Sequence, residues 1–480
     1  MTTDSRAGDG FLARLNLPSP ALTALLWVAP LIFLAAFYFF PLERILELSF
    51  QRGQEGFAAP FLGALTSGST RGVIIFTIWQ AALSTLLTLI IGLPGAFLFA
   101  RYQFPGKGIL RALTGIPFVL PTLVVAAAFN ALLGPSGWVN LGLMRALDLP
   151  QPPIQFMNTL AAILVAHVFY NTTIVLRMVG DFWANLDPRI GDAARTLGAG
   201  RWQTLRSITL PLLTPAVLTA SLLVFIFNFT SFGVILVLGG PQYATMEVEI
   251  YYQTVSLFNL PTAAALSVVQ LLFTLALTVA YTRLAARVTQ PLPLQARRLT
   301  QRRPDSPASR LAVAALIALL LVLLVSPLVA LGSRSFIGLG VARPGEPAVR
   351  GLTLDFYRLL SQNPQGALFF VPPTAAVLNS LRYAAATILM ALALGLPASW
   401  ALAYREGNPL NRLMDPILML PLGTSAVTLG LGFIVALDSP PLNLRTAPIL
   451  IPIAHTLVAF PFVVRSLTPA LRSIQPRLRE

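Results

Sequence analysis

Ala166–Asp192, AHVFYNTTIVLRMVGDFWANLDPRIGD, returns 288 residues later, without a gap, as Ala454–Glu480, AHTLVAFPFVVRSLTPALRSIQPRLRE. Six positions are identical: Ala166/Ala454, His167/His455, Val175/Val463, Arg177/Arg465, Pro188/Pro476 and Arg189/Arg477. The chain's only two histidines fall on each other. Each copy opens with an uncharged apolar run that ends at arginine, the pattern of a helix leaving a membrane. Upstream, Gly92-Leu93-Pro94 matches Gly395-Leu396-Pro397, and Pro117 matches Pro421.

Uncharged stretches of spanning length surround these copies. They are Ala21–Leu42, Gly72–Ala100, Ala112–Leu133, Thr159–Leu176, Leu212–Leu238, Thr262–Thr282, Leu311–Leu331, Ala375–Ala403 (interrupted by Arg382), Leu413–Leu437 and Ala447–Val464. Ten spans at about 20 residues each agree with a 480-residue chain that is 56% hydrophobic and 11% charged, with a mean hydropathy of +0.74. The long unbroken runs predict helices and oppose the alternating strands of a membrane barrel. The fold expected is all-α and polytopic. An even number of spans precedes each repeat unit, so the two have the same orientation and the repeat is parallel, with the halves related by an axis along the membrane normal.

Assigning alternate connections to opposite sides puts 23 of the 33 basic residues on one side. The positive-inside rule makes that side, and the N-terminus, cytoplasmic. It also accounts for the net charge of +15 without nucleic acid as a partner; membrane lipid is the expected surroundings. The repeat predicts a first half over residues 1–287 with six spans, a cytoplasmic linker over 288–310, rich in Pro, Arg and Gln, and a second half over 311–480 with four. Two further spans and the remainder of the repeat, about 96 residues by the same offset, are expected beyond Glu480.

Chemistry inside the chain is sparse. With no cysteine and two histidines, disulfides, iron–sulfur clusters and a histidine-rich metal centre are excluded, and no cofactor is expected. The sole lysine, Lys107, is followed by Gly108, so no phosphate-binding loop ending in Lys-Ser or Lys-Thr exists. No Asp or Glu sits near the centre of a predicted span, which opposes ion-coupled secondary transport. His167 and His455 lie near the middle of equivalent spans. They read either as hydrogen-bonded contacts packing the two halves or as groups lining a translocation path. Gly92-Leu93-Pro94 and Gly395-Leu396-Pro397 read as kinks, serving either a gate or packing.

Between the fourth and fifth spans lies Leu186–Pro211, LDPRIGDAARTLGAGRWQTLRSITLP. Asp187 suits a helix N-cap, Pro188 the first helical position and Gly198 a left-handed terminator. A second short helix then runs toward Pro211, leaving Ala193, Leu197, Trp202 and Leu205 as an apolar side that wants a partner. The spacing Asp192-Ala193-Ala194, Gly198, Ile208-x-Leu210-Pro211 closely resembles the EAA loop of binding-protein-dependent ABC importer permeases, with Asp in place of the usual Glu. Glu480 matches Asp192 and opens a second such motif.

The resemblance implies a permease subunit that is no enzyme, with ATP hydrolysis in a separate chain. It implies two ATP-binding subunits, one on each coupling loop, and an extracytoplasmic solute-binding protein. Two fused halves look like the thiamine and ferric-iron members of the type I importers. The segments Ser231–Gln253 and Ala166–Asn171 are more similar to the thiamine type, so thiamine is the first expectation. Ferric iron is the alternative, followed by another small solute such as a polyamine or sulfate.

Overall fold

The computed structural model describes residues 20–50, 67–288, 301–338, 351–362, 370–404, 409–438, 440 and 442–473. Glu480, Pro476, Arg477 and most of the 288–310 linker lie outside the described residues. What is described is almost wholly helical. The one sheet pairs β1 (Ile337–Gly338) with β2 (Gly351–Leu352), antiparallel.

In chain order, α1 (Pro20–Leu34) passes through a π-helical turn into α2 (Phe40–Phe50), followed by α3 (Gly68–Arg101), α4 (Lys107–Leu113), α5 (Thr122–Leu133) and α6 (Trp138–Leu147). Next come α7 (Leu160–Asn185), α8 (Pro188–Thr196), α9 (Arg201–Thr204), α10 (Leu210–Phe229), α11 (Met246–Tyr251) and α12 (Leu260–Val288). The remainder are α13 (Pro307–Leu324), α14 (Ser326–Arg334), α15 (Asp355–Arg358), α16 (Pro373–Tyr404), α17 (Pro409–Met419), α18 (Ala426–Ala436) and α19 (Leu450–Ser473).

Among the described residues nine helices are long and apolar enough to cross a membrane, against the ten expected. The ninth expected span, Leu413–Leu437, occurs as α17, a 3-10 turn over Leu420–Gly423 and α18. Its counterpart in the first half breaks at the matching place, with a 3-10 turn over Pro117–Val119 between α4 and α5. Pro117 and Pro421 lack the N–H that would continue the ladder, and both breaks fall on them. The fifth span also differs. It begins at Trp202 and ends at Phe229, because a π-helical turn over Leu205–Thr209 joins α9 to α10, widening the helix where the Pro211 ring meets the preceding turn.

The helices gather into two compact units: Met1–Phe61 with Phe258–Leu271 and Leu360–Glu480, and Leu62–Leu257 with Leu272–Leu359. The units cut across the sequence halves. In the first unit the opening helices α1 and α2 pack with second-half helices. Tyr38 Oη and Thr424 Oγ1 lie 2.6 Å apart, and a Cβ added to Gly432 would stand 2.9 Å from Pro41 Cβ. In the second unit α13, which opens the second half in sequence, packs on α3. There a Cβ at Gly95 would lie 3.5 Å from Leu320 Cδ2, and Leu320 and Leu324 join the core around Phe129 and Phe169.

The GLP triplets now have a structural reason. Both prolines lie within continuous helices, Pro94 in α3 and Pro397 in α16. Each glycine sits against the repeat-matched valine: a Cβ at Gly92 would fall 2.7 Å from Val175 Cβ, and one at Gly395 would collide with Val463. Glycine is required because the α3–α7 and α16–α19 backbones approach too closely for a side chain.

Candidate coupling site

The segment Leu186–Pro211 folds as its capping residues dictate. The Asp187 side chain accepts the Arg189 N–H at 2.9 Å, with Pro188 at the first helical position of α8. At the other end Gly198 has φ +91. The Ala199 N–H reaches the Ala194 carbonyl and the Gly198 N–H the Arg195 carbonyl, both at 3.0 Å. These two bonds are the Schellman closure, and they use carbonyls that the helix end would otherwise leave unpaired. A Cβ at Gly198 would meet nothing within 4 Å, so the demand for glycine comes from the backbone angle alone.

This closure leaves an unpartnered apolar face. Leu197 is 89% exposed, Trp202 70% and Ile190 47%, and Ala193 is exposed beside them. Leu205, expected on the same face, is half-buried against the core cluster that includes Trp183, Leu186 and Leu213; Ile190 is exposed outside. Asp192 stands exposed on α8 and forms an ion pair with Arg195 one turn on. Ala194 is half-buried, Ile208 lines a cavity behind the loop, and Leu210 and Pro211 are exposed where α10 starts.

The histidines separate sharply. His167 is buried at 2% exposure. Its Nδ1 lies 3.0 Å from Ser84 Oγ and its Nε2 2.9 Å from Ser231 Oγ, so both ring nitrogens are held by residues of its own half. His455, in the matching position on α19, is exposed. The sequence reading missed the polar cluster beside His167. Asn171 donates to the Asn228 side-chain oxygen at 2.7 Å, Gln80 to the Asn228 carbonyl at 3.0 Å, and Asn228 to Thr85 Oγ1 at 3.3 Å. Its sequence signal is present: Thr77, Gln80, Ser84 and Thr88 recur at helical spacing along an otherwise apolar α3. Among the described residues no cluster of His, Asp and Glu could hold a metal ion.

Residues 90–290 match the family described as binding-protein-dependent transport system inner membrane component. The thiamine transport system permease protein ThiP of Brucella abortus (strain 2308) is 30% identical over 398 residues, covering 82% of this chain and 68% of its own length. The chain belongs to the binding-protein-dependent ABC importer permeases. ThiP of Escherichia coli K12 is 27% identical over 410 residues, 84% of this chain and 71% of the relative. A probable ABC transporter permease, y4fN, of Sinorhizobium fredii is 28% identical over 433 residues, 86% and 72%. Among solved structures, a bacterial ABC importer of the polysaccharide alginate aligns at a TM-score of 0.45 and 19% identity, over 56% of this chain and 96% of that one. The permease is accordingly a multi-pass inner-membrane transport subunit.

Proposed function

We propose that this permease imports thiamine, delivered by an extracytoplasmic binding protein and driven by two ATP-binding subunits, with Leu186–Pro211 as the surface on which one of them docks. The N-terminus and this loop are then cytoplasmic, and residues 1–287 and 311–480 are tandem permease halves around a 288–310 linker. The observation that carries the docking assignment is the exposed face of Ile190, Ala193 and Leu197 on and at the end of α8, capped at both ends, with Trp202 exposed on α9 after the turn. An exposed apolar face of this kind marks an interaction site. The thiamine assignment is supported by relatives that carry that substrate in their names and align over 82% and 84% of this chain. In type I permeases the binding protein does most of the selecting, so the substrate test belongs to the assembled system. Proteoliposomes holding the permease with the ATP-binding subunit and binding protein encoded beside it should accumulate radiolabelled thiamine only with ATP inside. Accumulation of ferric iron and not thiamine would overturn the substrate and leave the docking surface standing.

A further inference from the structure

Behind the coupling loop lies a cavity of 460 Å³, within the roughly 300–1,000 Å³ range of small-molecule sites. Its lining brings Phe97, Ile208 and Leu212 together with the donors of Arg101, Trp183 and Arg302. Two of those donors are orphans: Arg101 Nη1 and Trp183 Nε1 are buried with no hydrogen-bond acceptor, and Trp183 is only 6% exposed. Arg302 donates to the Tyr102 hydroxyl at 3.2 Å and sits 5.3 Å from the centre of its ring. Among the described residues, no carboxylate pairs with either arginine. Of the two carboxylates in the cavity wall, Asp187 caps α8, and Asp192 pairs with Arg195 while its charge also acts on Arg101 without a direct ion pair.

Buried donors without acceptors are rare in folded proteins and call for a missing partner. The buried Arg101 Nη1 and Trp183 N–H lack acceptor oxygens, the exposed Arg302 adds a second positive charge at the mouth, and phosphate matches the guanidinium fork. We propose that this cavity binds an organic phosphate, its phosphate held by Arg101, Arg302 and the Trp183 N–H and its apolar remainder against Phe97 and Leu212. The source is either a lipid headgroup or a free phosphate ester. The linker is already tied to this place, because the Arg302 N–H donates to the Arg101 carbonyl and its own carbonyl accepts from the Gln103 N–H, both at 3.0 Å. An occupant would join α8, the end of α3 and the linker, and so bias the loop. Binding stands on the cavity alone, whereas an effect on ATP hydrolysis rests on the docking assignment above.

The test uses the whole importer in a maltoside detergent, titrated separately with inorganic pyrophosphate and with dioleoyl phosphatidic acid in mixed micelles, while the unfolding midpoint is followed. Saturable stabilisation is expected from at least one. Pyrophosphate alone would name the free source, phosphatidic acid alone the lipid. Arg302→Gln should weaken the effective probe about tenfold or more, and Trp183→Phe, which keeps the ring and loses the N–H, by a smaller factor. Saturation by neither probe, or unchanged affinity in both variants, would overturn the proposal. Saturable binding with no change in ATP hydrolysis would remove only the effect on the loop.

Discussion

One residue type in two matched positions can do opposite work. His167 spends both ring nitrogens on Ser84 and Ser231, whereas His455 is exposed. A hydrogen bond between membrane helices contributes about 0.6 kcal/mol on average, and a buried group stripped of its partner costs about 1–3 kcal/mol. His167→Leu should therefore destabilise the permease by about 1–2 kcal/mol, and His455→Leu by much less. Thermal unfolding of the two variants in detergent checks this, and equal losses would contradict the assignment. The sequence shows that the two histidines are matched and that a buried ring needs a partner. It does not show which one is buried, because that depends on Ser231, 64 residues beyond His167 in a loop between helices.

Among the helices, matched positions of the repeat carry a break and a contact. The sequence matches Pro117 with Pro421, but the expected third and ninth spans run straight through them; both come apart there, where proline lacks the N–H that would continue the ladder. The GLP triplets left packing and gating open, because the decisive neighbour, Val175 or Val463, lies on another helix. Gly92→Val and Gly395→Val should each cost about 1–3 kcal/mol by overpacking and lower folded yield in the membrane. Normal yield and melting in both would show that the backbones do not approach as closely as described. The loop was read almost residue by residue, since caps and left-handed terminators are set by nearest neighbours. Leu205, expected on the exposed face, is half-buried against a core cluster drawn from other helices, which the loop's own spacing does not reveal. Gly198→Val leaves open space around its side chain but forces a branched residue to φ +91. A left-handed residue costs about 1–2 kcal/mol even without branching. Solute-stimulated ATP hydrolysis by the reconstituted complex should fall severalfold, while the amount of permease inserted in the membrane stays the same. Unchanged stimulation would show that the turn plays no part in coupling.

At the scale of the molecule, the halves of the sequence and the compact units of the fold differ in their first helices: α1 and α2 sit in the unit built from second-half helices, and α13 sits in the unit built from first-half helices. Spans follow from composition, but this exchange does not, since an apolar helix carries no label for the bundle it joins. The exchange predicts that residues 1–287 expressed alone, lacking α13 and its Leu320 against Gly95 of α3, should be proteolysed faster than the full chain, and that co-expressing 288–480 should restore resistance. The exposed face of α8 and α9 is proposed to seat an ATP-binding subunit. A photo-crosslinking residue introduced at Leu197, the most exposed apolar side chain of that face at 89%, tests it in native membranes. A crosslink from this position to the ATP-binding subunit encoded beside the permease is expected. Crosslinks only to lipid, or to the extracytoplasmic binding protein, would contradict it.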